Sequence, residues 1–177
     1  MKRTLLTAAL ALFPALTPVL SHAEGLPGMR GVDHIGMTVP DLGEAVTFFS
    51  DVLGCTEVTG FGPLSDPEGT FMQDLLGVDP KAVIEKVTLM RCGFGANLEI
   101  FQYSAPDQAT ITQKNSDIGA HHIGIYVDDI DAAVAYLDEK GVRYSDWGDR
   151  AVAGWHQIFF YDPDGNVIEV HQVEEGE

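Results

Sequence analysis

Two stretches of the chain, HIGMTVPDLGEAVTFF at residues 34–49 and HIGIYVDDIDAAVAYL at residues 122–137, share one pattern. Seven of their sixteen positions are identical when the second stretch is aligned on the first with a shift of 88 residues. Each copy begins with a short run of apolar and β-branched residues, which favours a strand. An Asp follows where a helix N-cap is wanted, and apolar residues at helical spacing then lead to Gly54 or Gly141. The repeat predicts a strand and then a helix in each copy.

A second pair of stretches repeats with a different shift. FGANLEIFQY at residues 94–103 aligns with DGNVIEVHQV at residues 164–173, a shift of 70 residues, and the turn sequence DPDGN precedes the second strand. The first copy therefore carries about 18 extra residues. We place this insertion near residues 61–83, where Gly, Pro and Asp are frequent, and we expect a lid or substrate-specific loop there.

Each copy then consists of a strand, a helix and three further strands, so the fold class is α+β with tandem βαβββ modules. We predict a first module at 30–104, a linker at 105–118 and a second module at 119–174. Helices are expected at 41–53 and 129–140, with a short one near 71–76. The expected strands are 31–39, 55–60, 84–92, 96–103, 120–127, 142–145, 155–161 and 166–173.

Residues 1–23 have the pattern of a signal peptide. Two basic residues are followed by an apolar run that ends in the small residues of S-H-A. A transmembrane anchor is the weaker interpretation, because Pro14 and Pro18 interrupt a run that is short for a bilayer. We expect a mature chain that begins near Glu24 and is periplasmic or secreted.

The charge of the chain is strongly negative. The formal net charge is −17, and removal of residues 1–23 with their two basic groups makes it −19. Such a balance argues against nucleic acid, and against a membrane after signal cleavage, as partners. Cys55 and Cys92 are the two cysteines, and the sequence leaves open whether they form a disulfide or stay as buried thiols.

Two histidines and two glutamates occupy equivalent places in the repeat. His34 and His122 begin the first strand of each module, and Glu99 and Glu169 lie in the last. A carboxylate among apolar residues is costly to bury unless something pairs with it. Two imidazoles and two carboxylates at matched positions predict a mixed nitrogen and oxygen site for a divalent metal. His121 has no counterpart in the first copy, and strand alternation turns it to the opposite face, so we assign it a structural role.

Strand alternation also predicts which side chains share a wall with these four residues. Gly36 and Gly124 would leave space there for water or substrate. His171 is either an acid–base group beside the metal or a partly exposed histidine near the C-terminus. The candidate substrate pocket comprises Thr38, Phe101, Tyr103, Tyr126 and His171.

Four segments together resemble the vicinal oxygen chelate superfamily, whose members include glyoxalase I, methylmalonyl-CoA epimerase, extradiol dioxygenases and bleomycin-resistance proteins. They are DHIGMTVPDLGEAVTFFSDVLGC, NLEIFQY, HHIGIYVDDIDAAVAYLDEKGV and FFYDPDGNVIEVHQ, and they cover most of residues 31–173. The resemblance implies a glyoxalase-like fold with a half-open, barrel-like sheet. It also implies a divalent ion (Zn, Ni, Co, Mn or Fe) with four protein ligands, as in the glyoxalase I and epimerase branch: His34, Glu99, His122 and Glu169.

The reaction implied by the resemblance is that of a lyase or isomerase. The metal would stabilise an enediolate of a small vicinal-oxygen substrate, and Glu99 or Glu169 would move the proton as general base. Thr38 stands where glyoxalase I has a basic residue, and Tyr103 where it has an Asn. Both differences count against a glutathione adduct, and an exported protein would not meet coenzyme A.

Two other functions are kept as alternatives. An Fe(II)-dependent extradiol-type dioxygenase would use His34, His122 and Glu169 only. A ligand-binding resistance-type protein would bind without turnover. Members of the superfamily often form homodimers, and the sequence leaves open whether the site lies within one chain or between two.

Overall fold

The structure is a computed structural model that describes residues 26–111, 114–145, 151–152 and 155–172. The signal peptide predicted at 1–23 lies outside the described residues. Contacts divide the chain into two units, Met1–Gly31 and Val32–Glu177. All strands and helices of the described residues belong to the second unit. In the described part of the chain, no helix is long and apolar enough to cross a membrane.

The first module has the predicted order of strands and helices. Its sheet has the order β1-β4-β3-β2, with β1 parallel to β4 and the other neighbours antiparallel. The insertion between β2 and β3 contains one short helix, as predicted. The elements are β1 (His34–Thr38), α1 (Leu42–Leu53), β2 (Thr56–Phe61), α2 (Phe71–Asp74), β3 (Val83–Arg91) and β4 (Asn97–Ser104).

The second module repeats this topology, with sheet order β5-β8-β7-β6 and β5 parallel to β8. The register is repeated as well, because Gly36 pairs with Glu99 and Gly124 pairs with Glu169. The α+β class and the tandem modules are thereby confirmed. The elements are β5 (His122–Val127), α3 (Ile130–Lys140), β6 (Ala151–Val152), β7 (Trp155–Tyr161) and β8 (Val167–Gln172).

The ends of α1 and α3 confirm the predicted caps. The Asp41 side chain accepts from the N–H of Glu44, and Asp129 accepts in the same way at α3. Gly54 and Gly141 end the helices with φ of 66° and 70°, a left-handed conformation that glycine adopts without strain.

A second cap at each helix comes from the neighbouring strand. Gln102 of β4 accepts a 3.0 Å hydrogen bond at Oε1 from the N–H of Leu42, the first residue of α1. Gln172 of β8 accepts the equivalent 3.0 Å bond from Ile130. The two glutamines align in the sequence repeat, and each fixes the start of its helix to the strand that carries the glutamate.

Both modules contribute to one hydrophobic core. The Phe48 and Phe160 rings lie 6.4 Å apart across it, and the Tyr136 hydroxyl donates to the carbonyl of Asp51. In β4 and β8 the residues that alternate with Glu99 and Glu169 are buried in this core: Leu98, Ile100, Ile168 and Val170. The two glutamates therefore lie on the sheet faces that point away from the core.

The insertion has a smaller core of its own. Met72, Ala82, Ile84 and Val87 form a buried cluster against which Phe101 and Tyr103 pack. Cys55 and Cys92 form a disulfide at the ends of β2 and β3, with a sequence separation of 37. The insertion is thus packed on the predicted pocket wall, and the disulfide joins β2 and β3 at the end of their pairing opposite to the insertion.

The strand predicted at 142–145 is wrong. Tyr144 makes an isolated bridge to Phe160, and the edge strand beside β7 is the two-residue β6. At Ser145 the pairing is only partly a backbone ladder: its N–H donates to the Phe159 carbonyl at 2.6 Å, and its hydroxyl accepts from the N–H of Phe159 at 3.0 Å. Serine side chains compete with backbone acceptors in this way and interrupt regular pairing.

Candidate metal site

The first module brings His34 and Glu99 together. The parallel pairing of β1 with β4 sets the two side chains on one face, with His34 Nε2 3.2 Å from Glu99 Oε2. The His34 side chain is 42% exposed and that of Glu99 is 28% exposed, so the pair opens to solvent. The other ring nitrogen, Nδ1, lies 2.8 Å from Asp33 Oδ2.

The second module repeats the arrangement with His122 and Glu169. His122 Nε2 lies 2.9 Å from Glu169 Oε2, and their side chains are 43% and 14% exposed. The Phe159 ring stands edge-on to the imidazole with centroids 6.2 Å apart. His121 precedes β5 and is exposed, and it is His122 that meets the glutamate.

The charge around the first pair favours the protonated imidazole. The hydrogen bond to Asp33 and the charges of Glu99 and Asp33 raise the pKa of His34 above its ordinary value, although partial burial opposes them. A proton therefore competes with a metal ion for His34, and the same carboxylates that attract the proton also attract a cation.

The predicted pocket residues of the first module lie around Glu99. Thr38 pairs with Phe101 across β1 and β4, and the Phe101 and Tyr103 rings are 5.5 Å apart. Burial, with the nearby charge of Glu99, raises the pKa of the Tyr103 phenol. The phenol therefore stays protonated at neutral pH and can donate a hydrogen bond.

In the second module, Tyr126 pairs with His171 across β5 and β8. Tyr126 is exposed, whereas the His171 side chain is mostly buried, with Nδ1 4.0 Å from Glu169 Oε1. A methyl group added at Gly36 or Gly124 would meet Phe101 or His171 at 3.9 or 4.0 Å, which is ordinary contact. Gly36 thus lies beneath Phe101 and Gly124 beneath His171, at equivalent positions of the predicted pocket.

Each pair suits a divalent ion as two neighbouring ligands. Ligand atoms about 2.1 Å from one ion and at a right angle to each other lie about 3.0 Å apart, close to both observed separations. Within the described residues, however, no group of three or more His, Cys, Asp or Glu side chains could hold an ion. The structure therefore brings the four predicted ligands together as two pairs and does not join them into one cluster.

Two residues next to these pairs were missed in the sequence. Asp33 is not part of the repeated pattern, because His121 stands at its place in the second copy. An acid directly before a ligand histidine nevertheless indicates a partner for its ring. Phe159 could have been found from the register, because it pairs with Glu169 across β7 and β8.

Comparison with known proteins defines the class of protein to which this chain belongs. The model of the Glyoxalase/Bleomycin resistance protein/Dioxygenase superfamily matches residues 31–170, and the chain belongs to this family. The resemblance read from the repeated motifs is thereby confirmed.

Among curated proteins, the chain is similar to epimerases. It is 38% identical over 152 residues to a 2-epi-5-epi-valiolone epimerase of Actinomyces sp., covering 83% of this chain and 81% of that protein. It is 30% identical over 163 residues to mouse mitochondrial methylmalonyl-CoA epimerase, covering 88% and 82%. Among solved structures, the fosfomycin resistance protein FosX of Listeria monocytogenes, complexed with Mn(II) and sulfate, has the same fold. Its TM-score is 0.53 at 17% identity, and the match covers 84% of this chain and 97% of FosX.

Proposed function

We propose that this protein is an exported, metal-dependent isomerase of the epimerase type, acting on a small substrate with adjacent oxygens. The observation that carries the proposal is the repeated His–Glu pair, with the same register and nearly the same separation in both modules. The similarity to two kinds of epimerase favours an isomerase over a lyase.

The proposed ligands are His34, Glu99, His122 and Glu169. A divalent ion held by them supplies a Lewis acid for the adjacent oxygens of the substrate. An epimerase must remove a proton from one side of a carbon and return it to the other. Two carboxylates, one from each module, provide a base for each side.

The predicted pocket residues of the first module support the proposed substrate class. Tyr103 offers a protonated phenol near Glu99, and Phe101 offers an apolar ring surface packed on the insertion. Thr38 brings no positive charge to this wall. These residues favour a compact, hydroxylated molecule over a glutathione or coenzyme A conjugate. The name of the Actinomyces relative makes 2-epi-5-epi-valiolone the first compound to test.

Proton exchange with solvent tests the reaction. The protein is incubated with 2-epi-5-epi-valiolone and with a panel of small hydroxyketones in D₂O, and deuterium uptake at carbon is followed by NMR. We expect metal-dependent uptake, with large losses in Glu99→Gln and Glu169→Gln. Oxygen consumption with catechols that survives Glu99→Ala would instead support the dioxygenase, and tight binding without exchange would support a resistance-type protein.

We further propose that the metal site is completed between two copies of the chain. The first support is that β1 and β5, which begin with the two histidines, are edge strands in their sheets. The second is that the described part of one chain gathers its donors only in pairs.

Mixed dimers of His34→Ala and His122→Ala distinguish the two arrangements. If each site takes one pair from each chain, a mixed dimer contains one intact site and one doubly altered site. Bound metal should then recover to about half of the wild-type level. If each chain held a complete site, every site in the mixed dimer would lack one histidine and no recovery would occur.

Export is the remaining part of the proposal. The disulfide between Cys55 and Cys92 supports it, because stable disulfides are typical of proteins outside the reducing cytosol. Expression with the native N-terminus, followed by fractionation and N-terminal sequencing, tests it. We expect a mature chain that starts near Glu24 in the periplasm or medium, and a full-length cytosolic protein would contradict export.

A further inference from the structure

We propose that Asp33 is a positioning residue for His34, whose carboxylate keeps the ring proton on Nδ1 and leaves Nε2 for the metal. The inference rests on the proposed metal function of His34. It assigns a role to a residue outside the four-ligand set, and the two modules differ at this position.

The hydrogen bond itself determines the tautomer. Asp33 Oδ2 lies 2.8 Å from His34 Nδ1, and an ionised carboxylate can only accept. The proton between them must belong to Nδ1. In a neutral imidazole the lone pair is then on Nε2. Glu99 Oε2, at 3.2 Å from Nε2, competes for the same proton, and the shorter 2.8 Å hydrogen bond to Asp33 favours Nδ1. A carboxylate behind a ligand histidine is a common way to fix the orientation of its ring.

Asn97 holds the Asp33 backbone in place. The carbonyl of Asp33 accepts two hydrogen bonds from this residue, at 2.9 Å from the backbone N–H and 3.2 Å from Nδ2. Asn97 is 6% exposed, so it is a fixed point in the sheet. The Asp33 side chain is 80% exposed, and without an anchored backbone it would lose more freedom on binding His34.

The second module has neither residue. His121 stands where the first module has Asp33, and Val167 stands where it has Asn97. His122 is instead flanked by the Phe159 ring. The two halves of the site therefore differ, and only the first should depend on the residue before its histidine. His121 is a matched control for Asp33.

The tautomer can be measured directly in the full chain without added metal. Nitrogen-15 NMR at a pH where the imidazole is neutral distinguishes Nδ1–H from Nε2–H. We expect the Nδ1–H form for His34 in the wild type and in His121→Ala. In Asp33→Ala we expect a shift toward Nε2–H, the form that a free imidazole prefers. Asn97→Val, which installs the residue of the second module, should shift His34 part of the way.

Binding of Mn²⁺ provides the second readout, followed by the EPR signal of the free ion. We expect Asp33→Ala to bind about tenfold more weakly than the wild type, at the lower end of the range for such partners because Asp33 is exposed. His121→Ala should bind within about twofold of the wild type.

The results separate the inference from the proposed function. An unchanged tautomer in Asp33→Ala, or a changed tautomer with unchanged Mn²⁺ affinity, would overturn the positioning role. If the wild type bound no Mn²⁺, Zn²⁺ or Fe²⁺, the proposed function would fail. The tautomer would then decide by itself whether Asp33 orients His34.

Discussion

The strand-to-helix cap made by Gln102 supports a quantitative prediction. Replacing Gln102 with Met keeps the length of the side chain and removes the oxygen that accepts from Leu42. Leu42 is 1% exposed, so its N–H cannot turn to water in the variant. A buried donor without a partner costs about 1–3 kcal/mol, more than the net value of an ordinary hydrogen bond. We expect a loss of about 2 kcal/mol in the free energy of unfolding.

The repeat extends the prediction for Gln102 to the equivalent residue of the second module. Gln172 makes the equivalent 3.0 Å bond to Ile130, which is 3% exposed. Gln172→Met should therefore lose the same amount within about 0.5 kcal/mol. The two bonds share no partner, so the losses should add in the double variant. Urea unfolding followed by far-UV circular dichroism measures all three.

Two controls define what would refute the reasoning. Gln102→Glu keeps an oxygen at the helix N-terminus, where negative charge is favourable, and should lose about 0.5 kcal/mol or less. Gln108→Met changes an exposed glutamine and should have almost no effect. If both Met variants at the caps lost less than about 0.5 kcal/mol, the capping bonds would not be holding the helices to the strands.

Three further predictions concern other parts of the chain. Replacing Cys55 and Cys92 by Ala should reduce the free energy of unfolding by about 4 kcal/mol, because the disulfide closes a loop with a sequence separation of 37. Asp164→Asn should stabilise the protein by about 0.3 kcal/mol at neutral pH, a small effect because the group is exposed. Partial desolvation of the Asp164 carboxyl and the charges of nearby acids raise its pKa, so its ionised form opposes folding and the gain should vanish below about pH 4. Tyr103→Phe should remove a phenol with a raised pKa from the alkaline ultraviolet titration.

Each of these predictions has a simple check. Reductant should lower the urea midpoint of the wild type and leave the cysteine-free variant unchanged. Asp107→Asn removes one charge elsewhere on the surface, and an equal gain from it would show that net charge alone explains the effect of Asp164. For Tyr103, Glu99→Gln should lower the pKa of the phenol without fully restoring it, because burial is the larger cause.

Most of the fold could be predicted because the sequence pattern that specifies it occurs twice in the chain. The Asp caps, the left-handed glycines and the strand that carries Glu99 or Glu169 recur at matched positions, and the structure forms both copies with one register. The second edge strand could not be predicted in the same way. Residues 142–145 meet β7 only through the Tyr144–Phe160 bridge and the Ser145–Phe159 hydrogen bonds, and the edge strand forms at Ala151–Val152. These are tertiary contacts that the local pattern does not contain.

For the candidate site, the sequence could predict the two His–Glu pairs but not how they combine. Strand alternation places His34 beside Glu99 and His122 beside Glu169, since both distances are set by neighbouring parallel strands. Joining the pairs depends on packing between modules or chains, for which no local pattern exists. The contact of Asp33 with His34 depends on a backbone position that Asn97 fixes from 64 residues away in the sequence.

The disulfide that joins the start of β2 to the end of β3 affects how this protein can diverge. The whole insertion lies between Cys55 and Cys92, so new sequence or length there is confined to a segment whose two ends are covalently joined. Lengthening such a loop is entropically cheap, at about 0.6 kcal/mol for each doubling. The insertion also forms the packing behind Phe101 and Tyr103. A lineage could therefore vary the pocket wall of the first module while the repeated sheets and their His–Glu pairs stay as they are.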